Sequence, residues 1–255
     1  LPWTYSMHFA SSTLFSLREP MPKIICHMIA SVDGRLYPDR WTPGPENADI
    51  SASYESAANS FGAAGWIVGR TTMAEYAASI SEKEPAAVRD NGKMPEVFVG
   101  DRQGRPLAVV FDPKGKLHYE ESGLPTGEHL VAVLSPKVCD AYLEELRRAG
   151  VSYVFEDERN PLAGALQQIE KTFDASVLLL EGGGIINGAF LKAGLINELS
   201  FLIYPAIDGL AGVSSIIGWP GKDGEKPAEG QKLEFISSTT LAGGIVWLRY
   251  AVTKA

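Results

Sequence analysis

The feature that most constrains this chain is a run of three glycines, Gly182 to Gly184, placed between two apolar segments. Residues 177–180 are apolar without alternation, which is typical of a strand buried on both faces. Apolar residues then recur at helical spacing as far as Gly194, a residue type that commonly ends helices, and a second apolar run covers 199–204. This order predicts a strand, a glycine turn, a helix and a second strand, which together make a βαβ unit.

The glycine turn has two possible uses. Glycines leave no Cβ to hold a ligand away from the backbone, and free N–H groups at the start of a helix favour an anion such as a pyrophosphate. A tight turn without a ligand explains the same residues equally well, so both interpretations stay open. The spacing is not the G-x-G-x-x-G of a Rossmann fold, and no Lys-Ser/Thr pair follows as a P-loop needs.

A second candidate anion site is the segment Gly69-Arg70-Thr71-Thr72, which follows a short buried strand predicted over 64–68. Glycine allows close approach, threonine hydroxyls bind phosphate or cap a helix, and arginine offers a two-pronged donor. Capping alone is the simpler explanation. Together with the glycine turn at 182–184, however, the segment favours a ligand that carries phosphates at both ends of its reach.

Strand and helix patterns alternate along the chain with no linker and no internal repeat. They predict one α/β domain over 21–255, with a central, mostly parallel sheet flanked by helices and closed by antiparallel strands. Residues 1–20 do not fit this pattern and are interpreted as a leader or a cloning-derived extension. Helices are predicted over 51–61, 73–78, 138–149 and 161–173, and further strands over 23–30, 95–100, 107–112, 130–134, 151–155, 233–237 and 244–252.

Composition excludes several classes of protein. The net charge of −8 argues against a nucleic-acid surface, and no apolar run approaches the roughly 18–20 residues that cross a bilayer. The two cysteines, Cys26 and Cys139, are expected to be free thiols in a reducing compartment rather than a disulfide or a zinc site. We therefore expect a cytoplasmic protein without a metal.

Four polar or aromatic residues are candidates for a ligand site. Glu181 ends an apolar strand beside the glycines, where a carboxylate is costly unless it is partnered, so a functional role is favoured. His27 lies on a buried strand and is either a hydrogen-bonded core residue or a site residue. Asp33 is first of all a turn residue before Gly34, and Trp41 either walls a pocket for a flat heterocycle or covers apolar surface.

Three motifs taken together resemble a known family. They are Ile25-Cys-His-Met-Ile-Ala-Ser-Val-Asp-Gly-Arg35, Ile67-Val-Gly-Arg-Thr-Thr72 and the glycine segment from Leu179 to Leu199. The chain resembles the reductase domain of riboflavin biosynthesis, the RibD C-terminal family, which has a dihydrofolate-reductase-like fold. The resemblance spans roughly residues 22–253. Its last motif is the most specific, and the other two are also similar to dihydrofolate reductase.

The resemblance implies NADPH as hydride donor. It suggests that Gly69, Arg70, Thr71 and Thr72 lie near the adenosine 2′-phosphate, and that Ala30 lies beside the nicotinamide. Gly182, Gly183, Gly184 and Ile185 would lie against the pyrophosphate. On the substrate side, the family has polar groups at places that match His27, Asp33, Ser51 and Glu181.

The chain also departs from the family pattern. Riboflavin-pathway reductases usually carry lysine at the place of His27 and an Asp-x-Pro segment shortly after the Gly-x-x-Thr turn, where this chain has Glu75-Tyr-Ala. No H-x-E or P-C-x-x-C signature of a zinc deaminase is present. From the candidate residues and the resemblance together, we assign catalysis to Asp33, Glu181 and His27, and substrate binding to Ser51, Glu75 and Trp41.

These features lead to three hypotheses of function. The first is an NADPH-dependent reductase that acts on a pyrimidine ribosylamine phosphate, as in riboflavin synthesis. The second is a dihydrofolate reductase, because the fold and cofactor mode are shared. The third is a nucleotide-binding module without turnover. The family resemblance also implies a homodimer, formed through the closing strands.

Overall fold

A nine-stranded sheet forms the centre of the structure, a computed structural model that describes residues 20–82 and 95–255. The predicted leader, apart from Pro20, lies outside the described residues. The strands are β1 (Lys23–Ser31), β2 (Gly65–Gly69), β3 (Ser79–Ile80), β4 (Leu107–Phe111), β5 (Leu117–His118), β6 (His129–Leu134), β7 (Ser152–Phe155), β8 (Val177–Leu180), β9 (Glu198–Tyr204), β10 (Gln231–Thr240) and β11 (Val246–Lys254). The α-helices are α1 (Ile50–Asn59), α2 (Arg70–Met73), α3 (Asp140–Ala149), α4 (Pro161–Phe173) and α5 (Gly184–Lys192).

The order of strands in the sheet is β10-β11-β9-β1-β8-β2-β4-β6-β7. From β9 to β7 neighbouring strands run parallel, whereas β11 is antiparallel to β9 and β10 is antiparallel to β11. The predicted α/β fold with antiparallel closing strands is confirmed. The predicted βαβ unit is β8-α5-β9, and its two strands flank β1 on either side rather than pairing with each other.

Helices cover both faces of the sheet, and the alternation along β1 shows which residues face which layer. Cys26, Met28 and Ala30 belong to the core under α4 and α5. His27 points the other way, because its ring contacts Tyr54 of α1. The helix α3 packs on the α1 side, where its residues join a second core with β6 and β7. In the described part of the chain, no helix is long and apolar enough to span a bilayer.

Local signals explain most element ends. The helix α1 begins after Asp49, whose side chain accepts a hydrogen bond from the Ala52 N–H at 2.9 Å and so caps the helix. Gly150 ends α3 with φ of 73°. The predicted strand over 95–100 is wrong, because only Phe98 forms a bridge there, to Tyr153 at the sheet edge. The helix predicted over 73–78 is also displaced, since α2 begins directly after Gly69.

The long connection between β9 and β10 returns across α5. A Cβ at Gly184 would lie 2.2 Å from the Ser215 carbonyl oxygen, and a Cβ at Gly188 would lie 2.2 Å from that of Gly218. Asn187 donates its side-chain N–H to the Ile216 carbonyl at 2.7 Å. Glycines on this face of α5 therefore allow main chain to pack directly on the helix.

Candidate active site

A cleft of about 730 Å³ opens at the carboxyl edge of the parallel strands. Its wall includes Met28 from β1, Gly69 from β2, Phe111 from β4 and Glu181, which directly follows β8. Open α/β sheets bind their ligands at this edge, because parallel strands bring the loops after them together. The cleft is therefore the candidate active site. Sequence-predicted residues that line it are Gly69, Arg70, Thr71, Thr72, Glu75, Glu181, Gly183, Gly184 and Ile185.

The two glycine turns, which are far apart in sequence, are joined by hydrogen bonds. The Gly69 N–H donates to the Gly182 carbonyl oxygen at 2.8 Å. The Gly183 N–H donates to the Thr72 hydroxyl oxygen at 3.1 Å. The two candidate anion sites are thus one continuous surface on the cleft wall.

The glycines of this surface differ in what surrounds them. At Gly183 an added Cβ would meet only the Thr72 hydroxyl, at 3.8 Å, so the space above this backbone is open. At Gly182 φ is +99°, a value that side chains rarely adopt. The first N–H groups of α5 have no carbonyl partner inside the helix. An open backbone beside a helix start fits the phosphates of a dinucleotide.

Arg70 supplies positive charge at the same place. Its residue is exposed, and within the described residues its guanidinium makes no hydrogen bond or ion pair. The charge of Arg70 acts on Asp112, which directly follows β4. Burial raises the pKa of the Asp112 carboxyl, whereas backbone hydrogen bonds and the charge of Arg70 lower it. A free guanidinium on the wall of the cleft fits a phosphate group.

Glu181 is a carboxyl group of the cleft whose pKa is strongly shifted. Burial raises the pKa of this carboxyl to about 8, a hydrogen bond from Tyr54 lowers it, and the charges of Glu55 and Glu128 raise it. The group is therefore mostly protonated at neutral pH, unlike an ordinary glutamate. A carboxylic acid in a ligand cleft is able to donate a proton, which is the property expected of a general acid.

His27 does not line the cleft. Its ring is fully buried, with Nδ1 2.9 Å from the Ser200 hydroxyl and Nε2 3.2 Å from the Tyr54 carbonyl oxygen. Burial lowers the pKa of the imidazole to about 4, so the ring is neutral at physiological pH. His27 therefore does not lie on the cleft wall with Glu181, as was expected: it is a core residue that contacts α1.

Asp33 also lies outside the cleft. Its carboxylate accepts hydrogen bonds from the Ser31 hydroxyl at 2.6 Å and from the backbone N–H groups of Asp208 and Gly209 at 3.1 and 2.8 Å. The Ser31 hydrogen bond, with those from the backbone, lowers the pKa of Asp33 to about 2. Asp33 therefore ties the turn after β1 to the segment after β9. Of the three residues expected to share one pocket, only Glu181 lines it.

Three other predicted residues are also absent from the cleft wall. Trp41 stacks on Tyr204 with ring centroids 5.5 Å apart, so it covers apolar surface. Ser51 is exposed in the first turn of α1. Ala30 is fully buried and faces the core under α4 and α5. Glu75 alone among the residues assigned to substrate binding lines the cleft.

Tyr54 is the functional candidate that sequence reasoning missed. It lines the cleft, and its hydroxyl donates to the His27 carbonyl oxygen at 3.0 Å. Its hydroxyl also lowers the pKa of Glu181. Ile50, Tyr54 and Ala57 follow the helical spacing i, i+4, i+7, which predicts one inward face of α1. A polar hydroxyl on that otherwise apolar face was the available signal.

Comparison with known proteins agrees with this architecture. A family model described as the RibD C-terminal domain matches residues 22–247. No curated protein matches the chain. A pyrimidine reductase-like protein from Corynebacterium diphtheriae has a similar structure, with a TM-score of 0.62, 19% identity and 93% of each chain covered.

Two further solved structures share the fold. RibD from Acinetobacter baumannii has a TM-score of 0.57 at 20% identity, and the match covers 91% of this chain but 58% of that one. A riboflavin biosynthesis reductase from Saccharomyces cerevisiae has a TM-score of 0.57 at 14% identity, with 91% and 90% covered. At these identities the likeness concerns the fold, whereas the family model covers most of the sequence. The chain therefore belongs to the RibD C-terminal domain family, a family of reductases.

Proposed function

We propose that this chain is an NADPH-dependent reductase that transfers a hydride to a pyrimidine-type substrate of the 5-amino-6-ribosylaminouracil phosphate class. The observation that carries the proposal is the shared cleft: Glu181, whose pKa burial raises to about 8, lies on the same wall as the joined glycine turns. Hydride transfer to a C=N or C=O carbon needs a proton for the heteroatom. One cleft thus offers a phosphate-binding surface and a proton donor.

The cofactor surface consists of Gly69 to Thr72 together with Gly182 to Ile185. The backbone of Gly183 and the helix start at Gly184 would hold the pyrophosphate, and the free guanidinium of Arg70 would pair with the 2′-phosphate. When bound, the cofactor supplies the hydride. Met28 and Phe111 add apolar surface to the same wall, which excludes water from the reacting groups.

Glu181 would donate the proton and then be reprotonated from solvent. Its raised pKa of about 8 keeps the acid form populated at neutral pH. Glu75, which also lines the cleft, is the remaining carboxyl available to a substrate N–H group. The Tyr37 ring lines the cleft as well and offers a flat face for a heterocycle.

Dihydrofolate reduction is the second candidate. Among the described residues that line the cleft, Arg70 is the only cation, so none is left for a substrate phosphate once Arg70 binds the cofactor. The pterin of dihydrofolate carries no phosphate, and the glutamate carboxylates of the same molecule would have to remain in solvent outside this cleft. Glu181 could pair with a pterin in the same way as with a pyrimidine.

The test is a steady-state assay of NADPH oxidation by absorbance, with the ribosylaminopyrimidine phosphate and dihydrofolate offered separately. Turnover of the first supports the leading proposal, and turnover of dihydrofolate alone replaces it with the second. Binding of NADPH without turnover of either substrate would identify a nucleotide-binding module. The control is Glu181→Gln, which retains size and hydrogen bonding but has no acidic proton.

We also propose a homodimer formed through the closing strands. The outermost strand β10 exposes large apolar side chains, among them Leu233 at 56% and Phe235 at 64%. Exposed apolar side chains on an unpaired sheet edge favour association. Sedimentation of the wild type and of Phe235→Glu tests this, because the substitution should shift a dimer to monomer.

Both cysteines are free thiols, as predicted, and we propose a cytoplasmic location.

A further inference from the structure

A serine, a histidine and a glutamate form a hydrogen-bonded chain at the surface of the described structure. The Ser81 Oγ lies 2.6 Å from the His118 Nε2, and the His118 Nδ1 lies 2.6 Å from a carboxylate oxygen of Glu145. The three side chains come from different places in the fold: Ser81 directly follows β3, His118 ends β5 and Glu145 lies on α3. None of them belongs to the described wall of the cleft, so this chain of side chains is a separate feature.

The hydrogen-bond partners determine where the protons of these three side chains lie. A carboxylate only accepts hydrogen bonds, so the His118 Nδ1 donates its proton to Glu145. In the neutral imidazole the other nitrogen then carries no proton, and the His118 Nε2 accepts from the Ser81 hydroxyl. In this arrangement a histidine is able to act as a base towards a serine, while a carboxylate holds the histidine in the required tautomer.

The other two histidines in the described part of the chain also contact a serine, but in arrangements that do not allow this chemistry. The Nδ1 of His129 accepts from the Arg105 guanidinium at 3.1 Å, so its Nε2 donates to Ser152 and is not a base. His27 and Ser200 are both fully buried, so no substrate reaches them. Among the described residues, only the surface serine–histidine pair combines a free base with a carboxylate and access from solvent.

Solvent reaches this surface pair, while the structure beneath it is fixed. The side chains of His118 and Glu145 are 28% and 36% exposed, and Ser81 is partly exposed. The Ser81 N–H donates to the Lys116 carbonyl at 2.8 Å, and the Tyr142 ring packs edge-on against His118 with ring centroids 5.7 Å apart. A nucleophile and a base that are accessible and also held in position are what a hydrolytic centre needs.

The fold does not depend on these three side chains. The main chain already joins β3 to β5, through the Ser81 N–H and through the Ala78 N–H, which donates to the His118 carbonyl at 2.9 Å. The loop before β5 is held separately, because the Asp112 carboxyl accepts the two backbone N–H groups of 116–117 at 2.6 and 2.9 Å. Hydrogen bonds and ion pairs between exposed side chains add little to the stability of such a frame. The three side chains are therefore available for chemistry.

We propose that Ser81, His118 and Glu145 form a second catalytic centre, which hydrolyses small esters that have a good leaving group. Ser81 is the nucleophile, His118 is the base, and Glu145 is a positioning residue that acts through His118. In the described structure this centre lies at the surface, so it holds little of a substrate beyond the reacting acyl group. Esters of a short acyl group with an acidic alcohol are the substrate class that fits.

The reaction needs only the ester and water. The Ser81 oxygen bonds to the acyl carbon while its proton passes to the His118 Nε2, and that proton leaves with the alcohol as the bond between alcohol and acyl carbon breaks. Water then attacks the acyl-serine and gives a proton to His118. The Ser81 oxygen takes that proton back as its bond to the acyl carbon breaks and the carboxylic acid is released. No group is oxidised or reduced.

The test measures hydrolysis of p-nitrophenyl acetate by the full chain, together with labelling by a fluorophosphonate, which bonds to activated serines. The wild type should hydrolyse the ester at least about tenfold faster than Ser81→Ala, and peptide mass spectrometry should find the phosphonate on Ser81. The matched control is Ser79→Ala, because Ser79 is an exposed serine two residues earlier, on β3. It should keep the wild-type rate. Equal rates in the wild type and Ser81→Ala, or a phosphonate found elsewhere, overturn the proposal.

Variants of the other two residues test their roles. His118→Ala should lose ester hydrolysis and regain part of it with added imidazole, which takes the place of the missing base. Glu145→Ala should hydrolyse the ester more slowly, and added formate should restore part of the rate, whereas a purely structural contact would not respond to formate. Nitrogen NMR of the wild type should find the proton of the neutral His118 ring on Nδ1. A wild-type rate in either variant, or a neutral ring protonated on Nε2, overturns the assigned roles.

Two further measurements separate this centre from the cleft. Ser81→Ala should oxidise NADPH at the wild-type rate, because Ser81 lies outside the described wall of the cleft. Saturating NADPH should leave the hydrolysis of p-nitrophenyl acetate unchanged. Inhibition of ester hydrolysis by NADPH would place the ester site in the cleft and overturn the proposal.

Discussion

Two adjacent glycines on the cleft wall allow a sharp test, because a substitution should damage ligand binding at one of them and folding at the other. At Gly183 an added Cβ projects into open space, with its nearest neighbour, the Thr72 hydroxyl, 3.8 Å away. At Gly184 the Cβ would lie 2.2 Å from the Ser215 carbonyl oxygen. Gly183→Ala should therefore damage ligand binding, and Gly184→Ala should damage folding.

The magnitudes follow from these distances. Forcing a methyl group against packed main chain typically costs about 1–3 kcal/mol, so Gly184→Ala should lower the Tm by several degrees. Gly183→Ala should cost less stability than Gly184→Ala. Gly183→Val should fill the space above the backbone where we place the pyrophosphate, and a tenfold or greater loss of NADPH affinity corresponds to about 1.4 kcal/mol or more.

Thermal unfolding and NADPH titration by calorimetry measure the two effects independently. The expected pattern is weak NADPH binding by a folded Gly183→Val and a lowered Tm for Gly184→Ala. Normal NADPH binding by Gly183→Val would refute the idea that the open backbone at Gly183 is a ligand cradle. The glycine turn would then be structural only.

The remaining predictions concern charge and pH. Arg70→Ala should weaken NADPH by about 1–3 kcal/mol and leave NADH nearly unaffected, and equal losses in titrations of both cofactors would contradict a 2′-phosphate contact. Glu181→Gln should lower kcat/KM at least tenfold, about 1.4 kcal/mol, with the NADPH Kd changed by less than about threefold. The pKa of Glu181 is raised from 4.5 to about 8, so the free energy of unfolding should fall as pH rises between these two values. Denaturant unfolding should show this fall in the wild type and not in Glu181→Gln. Asp33→Asn should lower the Tm and change kcat/KM little, because Asp33 holds the segment after β9. Unchanged stability with lost turnover would show instead that Asp33 belongs to the active site.

The elements of the fold could be predicted from the sequence where an apolar run is bounded by residues that begin or end a helix. The helix predicted over 161–173 has those bounds in the structure, since Pro161 begins it and a left-handed Asp174 ends it. The strand predicted over 95–100 failed because a short apolar run forms a strand only if a neighbour pairs with it. At the edge beside β7 only Phe98 finds such a partner.

The site was only partly predictable, for a physical reason. An open glycine backbone at Gly183 and the free N–H groups at a helix start favour an anion through local structure alone. The local sequence is therefore enough to predict them as a ligand site. Side chains depend on direction and packing: the alternation along β1 places His27 and Ala30 on opposite faces of the sheet, and each is fully buried there. Asp33 could not be assigned because its partners, Asp208 and Gly209, lie far along the chain. Tyr54 depends likewise on how α1 packs over β1.

The main-chain packing of the connection on α5 has a consequence for sequence change. Its contacts use the Ser215 and Gly218 carbonyls and the Gly218 N–H, which donates to the Gly184 carbonyl at 2.9 Å. Backbone atoms are the same in every residue, so these contacts do not depend on the side chains at 215 and 218, whereas Ile216 is held by its burial in the core. An inserted residue would shift every contact out of register. Ser214, on the wall of the cleft, sits just before this segment. Insertions should therefore be accepted in the polar stretch 221–230 and rejected at 215–218, where a change in length would move the wall.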